Sequence, residues 1–594
     1  MICHTIQPRG VPAAITPEVG GRLEAAPVRP VLRRRDYLVL TTLILLGLII
    51  HVYLVHHTAV PARDSLGYAR VALNLSDPQQ GRSGSERRSR MEVIRTAEHP
   101  PGYPIAIWCV EKILREVSDA PLPERVLWAA QYVNALAATV LVVPVYLLGR
   151  MLFGTWPAAV GTLLFQVLPV PAHVTSDGVS EGLYLLFVSI ALSGGVWGIR
   201  RPRVERLLIT GGAIGAAYLV RPEGILLAVP IGLMILGIWR GRALSCRLGW
   251  TTALAVGIAA IGLPYMLLIG KLTNKPTGKY LTNPFDDHVP PIWRGQPLSY
   301  RSRMQPDQSL SCRSWTHPGI CLWGERTHSG ICLWAEWWHP QKNAQSRRSV
   351  WAMQAVGKEM LKSLHYATAI LALLGIACQY RRLQLGDPGI LFLVAVGCLY
   401  LCLLFYLALR IGYVSERHTS LLNLLGCMFA ASSLPALGSW LSVAPVVRHL
   451  VIWPRLMPTG LAGILVVTAL PQTLQPLHPH REGHKHAGLW LAGQLQDQDW
   501  LVDPFCWAEW YAGRTLFRTT EYHGRPLRTW VVVEEGKVSP HSRLPQWEQA
   551  QELARHGQPV YQWPQQASSD QPRVVVYRVD DPHLVQRILS HGPR

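Results

Sequence analysis

The chain has 594 residues, of which 49% are hydrophobic and only 16% charged, and its mean hydropathy is positive. That composition excludes an ordinary soluble multidomain protein and indicates a polytopic membrane protein with a soluble appendage. The net charge of +20 partly reflects arginines beside apolar runs; it favours anionic membranes, and no nucleic-acid-binding motif accompanies it.

A spanning helix needs about 20 mostly apolar residues, and about eleven candidates can be placed. In chain order they are 37–56, 125–148, 156–172, 177–199, 206–220, 223–240, 249–271, 364–380, 388–411, 416–437 and 457–471. Very short links join 156–172 to 177–199 and 206–220 to 223–240, so these pairs read as hairpins or broken helices. The predicted organisation is a tail over 1–36, a transmembrane domain over 37–471 with long loops at 57–124 and 272–363, and a small α/β domain over 472–594. Val60-Pro61-Ala62 offers a rival reading as a signal-peptide cleavage site, but the preceding tail is long and the apolar run exceeds a usual signal core, which favours an anchor.

Arginine and lysine in short loops resist translocation. Arg33-Arg34-Arg35, Arg150, Arg200 to Arg206, Arg240 to Arg247, Arg381-Arg382, and then Arg448 and Arg455 mark every second connection. This predicts a cytoplasmic amino terminus, with both long loops and the carboxy-terminal domain outside, in a bacterial inner membrane. Arg82, Arg87, Arg88, Arg90 and Arg95 dissent by crowding the external 57–124 loop, either as a basic excursion or as a contact for anionic lipid.

Of the eleven cysteines, Cys109, Cys246, Cys378, Cys398, Cys402 and Cys427 lie in or beside apolar spans and read as small buried hydrophobes. In the second long loop, His317-Pro-Gly-Ile-Cys321-Leu-Trp323 recurs as His328-Ser-Gly-Ile-Cys332-Leu-Trp334, with His339 continuing the spacing. A duplicated insertion without chemistry is the favoured reading, beside a Cys321–Cys332 disulfide or a zinc site. In the tail, Trp530–Val533 and Val574–Tyr577 read as strands and Gln546–His556 as a helix. The cluster from Asp503 to Tyr511 reads as packing onto the membrane domain or as facing substrate.

The residues with chemistry in them lie at the breaks. Asp64 stands just past the first span, with Tyr68, Ala72 and Leu75 at helical spacing behind it, as expected of an interfacial helix with its apolar face on the bilayer. A carboxylate there accepts a proton from a hydroxyl, helps bind a cation or caps the helix. Glu98-His99 precede two prolines, which forbid a continuing helix and predict a rigid turn presenting both side chains. Glu98 suits a metal or a second acid/base function, and His99 a phosphate or a metal. Tyr218-Leu-Val-Arg221-Pro222-Glu223-Gly224 interrupts an apolar stretch, where charge costs about 2.5–3.5 kcal/mol per residue at a helix centre. Thr175-Ser-Asp177-Gly-Val-Ser180-Glu181 and Ser415-Glu416-Arg417-His418 interrupt others, and by the arginine count all these breaks share one side. Their convergence suggests one site for a lipid-linked anion.

In this order, Asp64, Glu98-His-Pro-Pro-Gly-Tyr-Pro104, Ser176-Asp-Gly-Val-Ser-Glu-Gly-Leu-Tyr184, Arg221-Pro-Glu-Gly-Ile-Leu226 and Glu416-Arg-His418 resemble the GT-C class of membrane glycosyltransferases. The resemblance is to the bacterial protein O-mannosyltransferase-like and aminoarabinose (lipid A) transferase-like enzymes, over about residues 37–440; the 285–350 insertion is unmatched. It implies transfer of a sugar from a polyprenyl-phosphate carrier to a hydroxyl on a protein, lipid or glycan, outside the membrane and with inversion. Carried over, Asp64 is the general base or its electrostatic aid, and Glu98 binds a divalent cation, with His99 as the second ligand, or orients the acceptor. His99, Arg221 and Arg417 contact the donor phosphate, and Tyr68, Asp177, Glu223 and His418 line the site. No glycine-rich nucleotide loop or soluble paired-aspartate motif competes with a lipid donor. A secondary transporter or flippase also has broken helices, but it requires related halves and midplane polar groups. A noncatalytic assembly or sensor protein using the tail as its binding module is a third reading.

Overall fold

The structure, a computed structural model, describes residues 32–78, 89–275, 344–443, 456–516, 526–536, 546–567 and 571–590. The N-terminal tail to residue 31, Arg82, Arg87 and Arg88, the His/Cys repeat at 317–339, and Arg448 and Arg455 lie outside these residues.

Each of the eleven apolar runs is helical, but not each is long enough to cross a bilayer alone. Six helices are: α1 (Arg34–His56), α5 (Leu122–Phe153), α8 (Glu181–Arg200), α11 (Leu244–Ile269) and the spans Pro388–Arg410 and Glu416–Leu441. Two bent pairs raise the number to eight. Thr155–Val167 (α6) and Pro169–Ser176 (α7) meet at 64°, and Arg348–Ser363 and Ala367–Cys378 at 102°. The bend between α6 and α7 has a cause in sequence, since Pro169 and Pro171 cannot supply the amide protons that would continue the helix. Three expected spans fall short. Val204–Val220 (α9) and Met457–Thr473 have 17 residues each, or about 25 Å of helix. The 223–240 run splits into a 3₁₀ turn, Pro222–Leu227, and α10 (Ala228–Ile238). Among the described residues the expectation of eleven full spans thus becomes six to eight candidate spans, because apolar length does not reveal where the chain turns.

Two shorter helices fill the first long loop. α2 (Arg63–Ser76) and α4 (Gly102–Val117) lie side by side against α5, with α3 (Arg90–Thr96) between them in sequence. The apolar face of α2 does not lie on the bilayer as expected. Tyr68, Ala72 and Leu75 are buried in the protein, where they share the main core with Tyr103 and Ile107 of α4 or pack beside it. The cysteine expectation is also corrected: Cys427 is buried, whereas Cys109, Cys246, Cys378, Cys398 and Cys402 are exposed on the outer faces of the helices.

The tail forms a four-stranded mixed sheet in the order β1-β2-β4-β3, with β1 (Trp500–Val502) parallel to β2 (Thr529–Glu535) and β4 (Arg573–Val579) antiparallel to both β2 and β3 (Gln558–Trp563). Alternation along β2 feeds two cores: Val531 and Val533 face Ala550, Leu553 and Val585, while Trp530 and Val532 face Ala487 and Leu491. This unit is tied to the membrane domain. Leu477 pairs with the chain at Thr58, Trp510 Nε1 donates to the Pro123 carbonyl at 3.0 Å, and Lys485 meets Glu124 at 3.1 Å. Phe505, Trp507, Trp510 and Tyr511 are buried in the same core as the spans, so the aromatic cluster packs onto the membrane domain.

Candidate active site

The charged breaks meet at one end of the helical bundle. The other end gathers different pairs: Asp36 with Arg150 at 3.0 Å, and Asp387 with Arg200 at 3.0 Å. Because α1 has 23 residues, its two ends stand about 34 Å apart, and the two sets of charges are separated by the bundle itself.

Two glycines of the quoted motifs let the backbones close around this end. A Cβ on Gly102 would lie 2.7 Å from the Leu219 carbonyl oxygen, and one on Gly224 would lie 2.8 Å from Ala217. Both contacts flank Arg221, so any side chain at either position pushes α4 or the Pro222 turn away from α9. Gly102→Ala is expected to destabilise the protein by about 1–3 kcal/mol through overpacking, read as a lower Tm in detergent; an unchanged Tm would show that the approach yields without strain.

Asp64 sits in the first turn of α2, where the helix dipole favours a carboxylate; it is not the cap, a position held by Ala62. Its Oδ2 lies 2.5 Å from Arg417 Nη2, with side-chain exposures of 46% for Asp64 and 27% for Arg417, so this pair faces open space. Burial opposes ionisation of Asp64, but the Arg417 guanidinium, with His99 and Arg63, together outweighs it and holds the carboxyl below its ordinary range. Arg221, by contrast, is buried and committed: Nη1 contacts Glu181 Oε1 and Nε contacts Glu223 Oε1, each at 2.5 Å. Its guanidinium also lies 5.6 Å from the Tyr184 ring centroid.

Tyr68 and His99 form the next layer. Their ring centroids are 4.3 Å apart, Tyr68 is edge-on to Tyr103, and the Tyr68 hydroxyl is 3.2 Å from Ser180 Oγ. Burial drives the His99 pKa down to about 4, with Lys275, Arg221 and Arg417 pushing the same way and Asp64 against. The ring is therefore neutral near pH 7 and offers a phosphate a hydrogen bond rather than a charge. Since its folded pKa lies below the ordinary value of about 6.5, the stability linked to neutral His99 is complete above that pH and lost as pH falls toward 4. His99→Gln is expected to flatten the fall in Tm between pH 6.5 and 4.5; an identical fall in wild type and variant would assign the acid sensitivity elsewhere.

The remaining expected residues take different places. Asp177 is buried behind the site, its Oδ2 3.0 Å from His478 Nε2 and its Oδ1 accepting from the Ala62 and Gly178 amides at 2.9 and 2.7 Å. It thereby fixes the start of α2, two residues before Asp64, to the tail. His418 Nδ1 accepts from the Ser415 amide at 3.1 Å and lies 2.9 Å from Ser415 Oγ, closing the turn that carries Arg417. Glu98 is exposed while His99 turns inward.

Two participants were absent from the predicted site. Glu181 opens α8 almost fully buried, its Oε2 without a hydrogen-bond partner among the described residues. Lys275, just beyond α11, lies within electrostatic reach of Glu223, Arg221, Glu181 and Arg417, and burial lowers its pKa. A local signal existed for Glu181, an acid opening an apolar span after a glycine-containing turn; Lys275 reads only as a residue beyond a span. Asp64, Glu181 and Glu223 thus meet Arg221, Lys275 and Arg417, a balanced set with Asp64 and Arg417 at its open side.

A divalent cation finds a poor fit. Among the described residues no group of three or more His, Cys, Asp or Glu side chains is placed to hold a metal. Glu98 and His99 diverge, and three of the four charges acting on His99 are cationic.

Residues 98–266 match the family described as dolichyl-phosphate-mannose-protein mannosyltransferase. The fold is similar to that of ArnT from Cupriavidus metallidurans, solved bound to undecaprenyl phosphate, at 13% identity and a TM-score of 0.50 over 95% of this chain and 100% of that one. The chain resembles the GT-C membrane glycosyltransferases. The family match covers residues 98–266 and the likeness to ArnT is one of fold, in a chain whose described residues hold six helices long and apolar enough to cross a membrane. Archaeal oligosaccharyltransferase AglB from Archaeoglobus fulgidus, in complex with an inhibitory peptide and a dolichol-phosphate, is similar at 13% identity and a TM-score of 0.48, over 82% of this chain and 65% of that one. An Archaeoglobus fulgidus oligosaccharyltransferase in complex with Zn and sulfate is similar at 13% identity and a TM-score of 0.45, over 80% of this chain and 61% of that one. The chain therefore spans slightly less than two thirds of the archaeal enzyme's length. No curated protein matches the sequence.

Proposed function

We propose that the protein is a membrane glycosyltransferase that moves a sugar from a polyprenyl-phosphate carrier to an acceptor hydroxyl, with inversion, at the Asp64 end of the bundle. The observation that carries this reading is the open Asp64–Arg417 pair beside Arg221 and Lys275. Inverting transfer needs a base near the attacking hydroxyl and positive charge near the departing phosphate, held in line with each other. The acceptor oxygen bonds to the anomeric carbon as the carbon–phosphate oxygen bond breaks. The hydroxyl proton passes to Asp64, and the phosphate leaves as an anion that needs no proton.

Arg417 joins the two halves of this reaction. In the free site its guanidinium is held by Asp64; a donor phosphate is a stronger partner for a planar fork of donors. Once Arg417 turns to the phosphate, Asp64 loses the cation that depresses its pKa and becomes a better base with the donor in place. Lys275 and neutral His99 add contacts to the phosphate. Arg221 adds its charge from behind while holding Glu181 and Glu223. Asp177 positions Asp64, and Glu98, at the exposed rim, meets the acceptor. The acceptor is a protein, lipid or glycan hydroxyl. By the arginine count the site faces away from the cytoplasm, with the sheet domain beside it, in a bacterial inner membrane.

The test is transfer of radiolabelled sugar by purified protein in anionic lipid, from a panel of polyprenyl-phosphate sugars to added acceptors or to water, with the product anomer read by NMR. Transfer with inverted configuration supports the reading and names the donor. If no donor is bound or turned over while the protein is folded, the transferase reading falls; retained configuration would remove the in-line mechanism alone.

A further inference from the structure

At the opposite end of the bundle, a groove of about 900 Å³ opens between the start of α1, the second half of α5, α8 and α9. Its mouth carries Arg33, Arg35, Arg150 and Arg206 against a single carboxylate, Asp36. That carboxylate is already engaged: it meets Arg150 at 3.0 Å and accepts from the Tyr146 hydroxyl at 2.7 Å. Arg33 and Arg35 are exposed, and the Arg206 guanidinium lies 3.9 Å from the centroid of the Trp197 ring at the rim. Below this mouth the walls are apolar: Val140, Val143, Leu147, Leu186 and Ile190. The surface continues apolar on either side, with Val140 53% and Ile209 69% exposed.

We propose that this groove is a binding site for an anionic phospholipid of the leaflet at the arginine-rich end. The match is one of charge and polarity together. A phosphate at the mouth meets an excess of guanidinium groups, which suit its oxygens, while an acyl chain lies along the apolar wall. A zwitterionic lipid brings the same phosphate but adds a cationic group that those arginines disfavour, so it binds more weakly. A soluble anion has no use for the apolar wall. The site stands a full length of α1 from Asp64, about 34 Å, and does not depend on the transferase reading. It would hold α1, α5, α8 and α9 together beside Pro144 of α5, whose carbonyl accepts from Ser193 Oγ at 2.7 Å.

Native mass spectrometry of the full chain in detergent, titrated with phosphatidylglycerol or with phosphatidylcholine of the same chain length, tests this. Wild type is expected to retain one phosphatidylglycerol at least about ten-fold more tightly than phosphatidylcholine. R35Q/R206Q is expected to weaken phosphatidylglycerol about ten-fold or more, from the loss of two attractions to the headgroup, while R35K/R206K retains it. If R35Q/R206Q does not yield a monodisperse protein, R35Q alone carries the test with about five-fold weakening. Equal retention of the two lipids by wild type, or phosphatidylglycerol retention unchanged in the glutamine variants, overturns the proposal. So does the absence of any retained lipid, the result expected if residues 1–31 fill the groove.

Discussion

Asp64→Asn is expected to lower kcat by about 10²–10⁴, the range for loss of a positioned general base, while donor affinity stays the same or improves. The two effects have one cause. Asparagine fills the same space but cannot take the acceptor proton, so the transition state loses its base. Arg417, meanwhile, loses the carboxylate that holds it at 2.5 Å and is free to meet the donor phosphate before any exchange of partners. A fall in kcat with constant or lower KM for the donor separates this from simple damage to the site, which would raise KM. The pH profile gives a second check. Because the net effect of burial, Arg417 and His99 holds the Asp64 carboxyl below its ordinary range, the free enzyme's acid limb should lie below the usual carboxylate value of about 4. In Arg417→Gln it should move upward, since the cation that favours the ionised form is gone. If kcat of Asp64→Asn stays within about ten-fold of wild type, Asp64 is not the base. An acid limb that ignores Arg417 would separate that pair from the chemistry.

The charged breaks were legible because charge inside an apolar stretch is rare and proline announces a turn. Arg221-Pro222-Glu223-Gly224 and Ser415-Glu416-Arg417-His418 read directly as interruptions, and the arginine count placed them on one side; their charged groups do lie within electrostatic reach of one another. The partners of those residues were not legible. Arg221 reaches Glu223 two residues away, as local sequence suggests, but also Glu181, 40 positions earlier. That second contact depends on how α8 and α9 pack, and no periodicity within either helix encodes it. Lys275 is concealed in the same way, since a lysine after a span is ordinarily a boundary residue. Glu98 and His99 show a finer limit. The prolines fix a rigid turn, but which of two adjacent side chains turns inward depends on the Tyr68 ring that receives His99. In the tail, the apolar runs Trp530–Val533 and Val574–Tyr577 revealed β2 and β4, whereas their antiparallel pairing, with parallel β1 at the edge, comes from connections between them.

Arg221→Met is expected to destabilise the fold by about 3–5 kcal/mol, the result of removing one partner from a buried ion pair. Methionine fills much of the space, so packing is not the main loss. Glu181, with 4% of its side chain exposed, and Glu223, with 17%, would be left as neighbouring buried carboxylates, each opposed by desolvation and by the other. For a domain stabilised by about 5–15 kcal/mol this lowers Tm sharply, and loss of transfer in the single variant says nothing about chemistry. Arg221→Met combined with Glu181→Gln and Glu223→Gln distinguishes the roles, because it removes the cation and both stranded charges together. The triple variant is expected to recover most of the lost Tm and still to bind donor weakly, since Arg417 and Lys275 remain but the charge behind them is gone. Recovery of both stability and donor affinity would make Arg221 a structural counter-ion for its two glutamates. Failure to recover stability would mean that the fork of hydrogen bonds, rather than charge balance, holds α8, α9 and the Pro222 turn at this end.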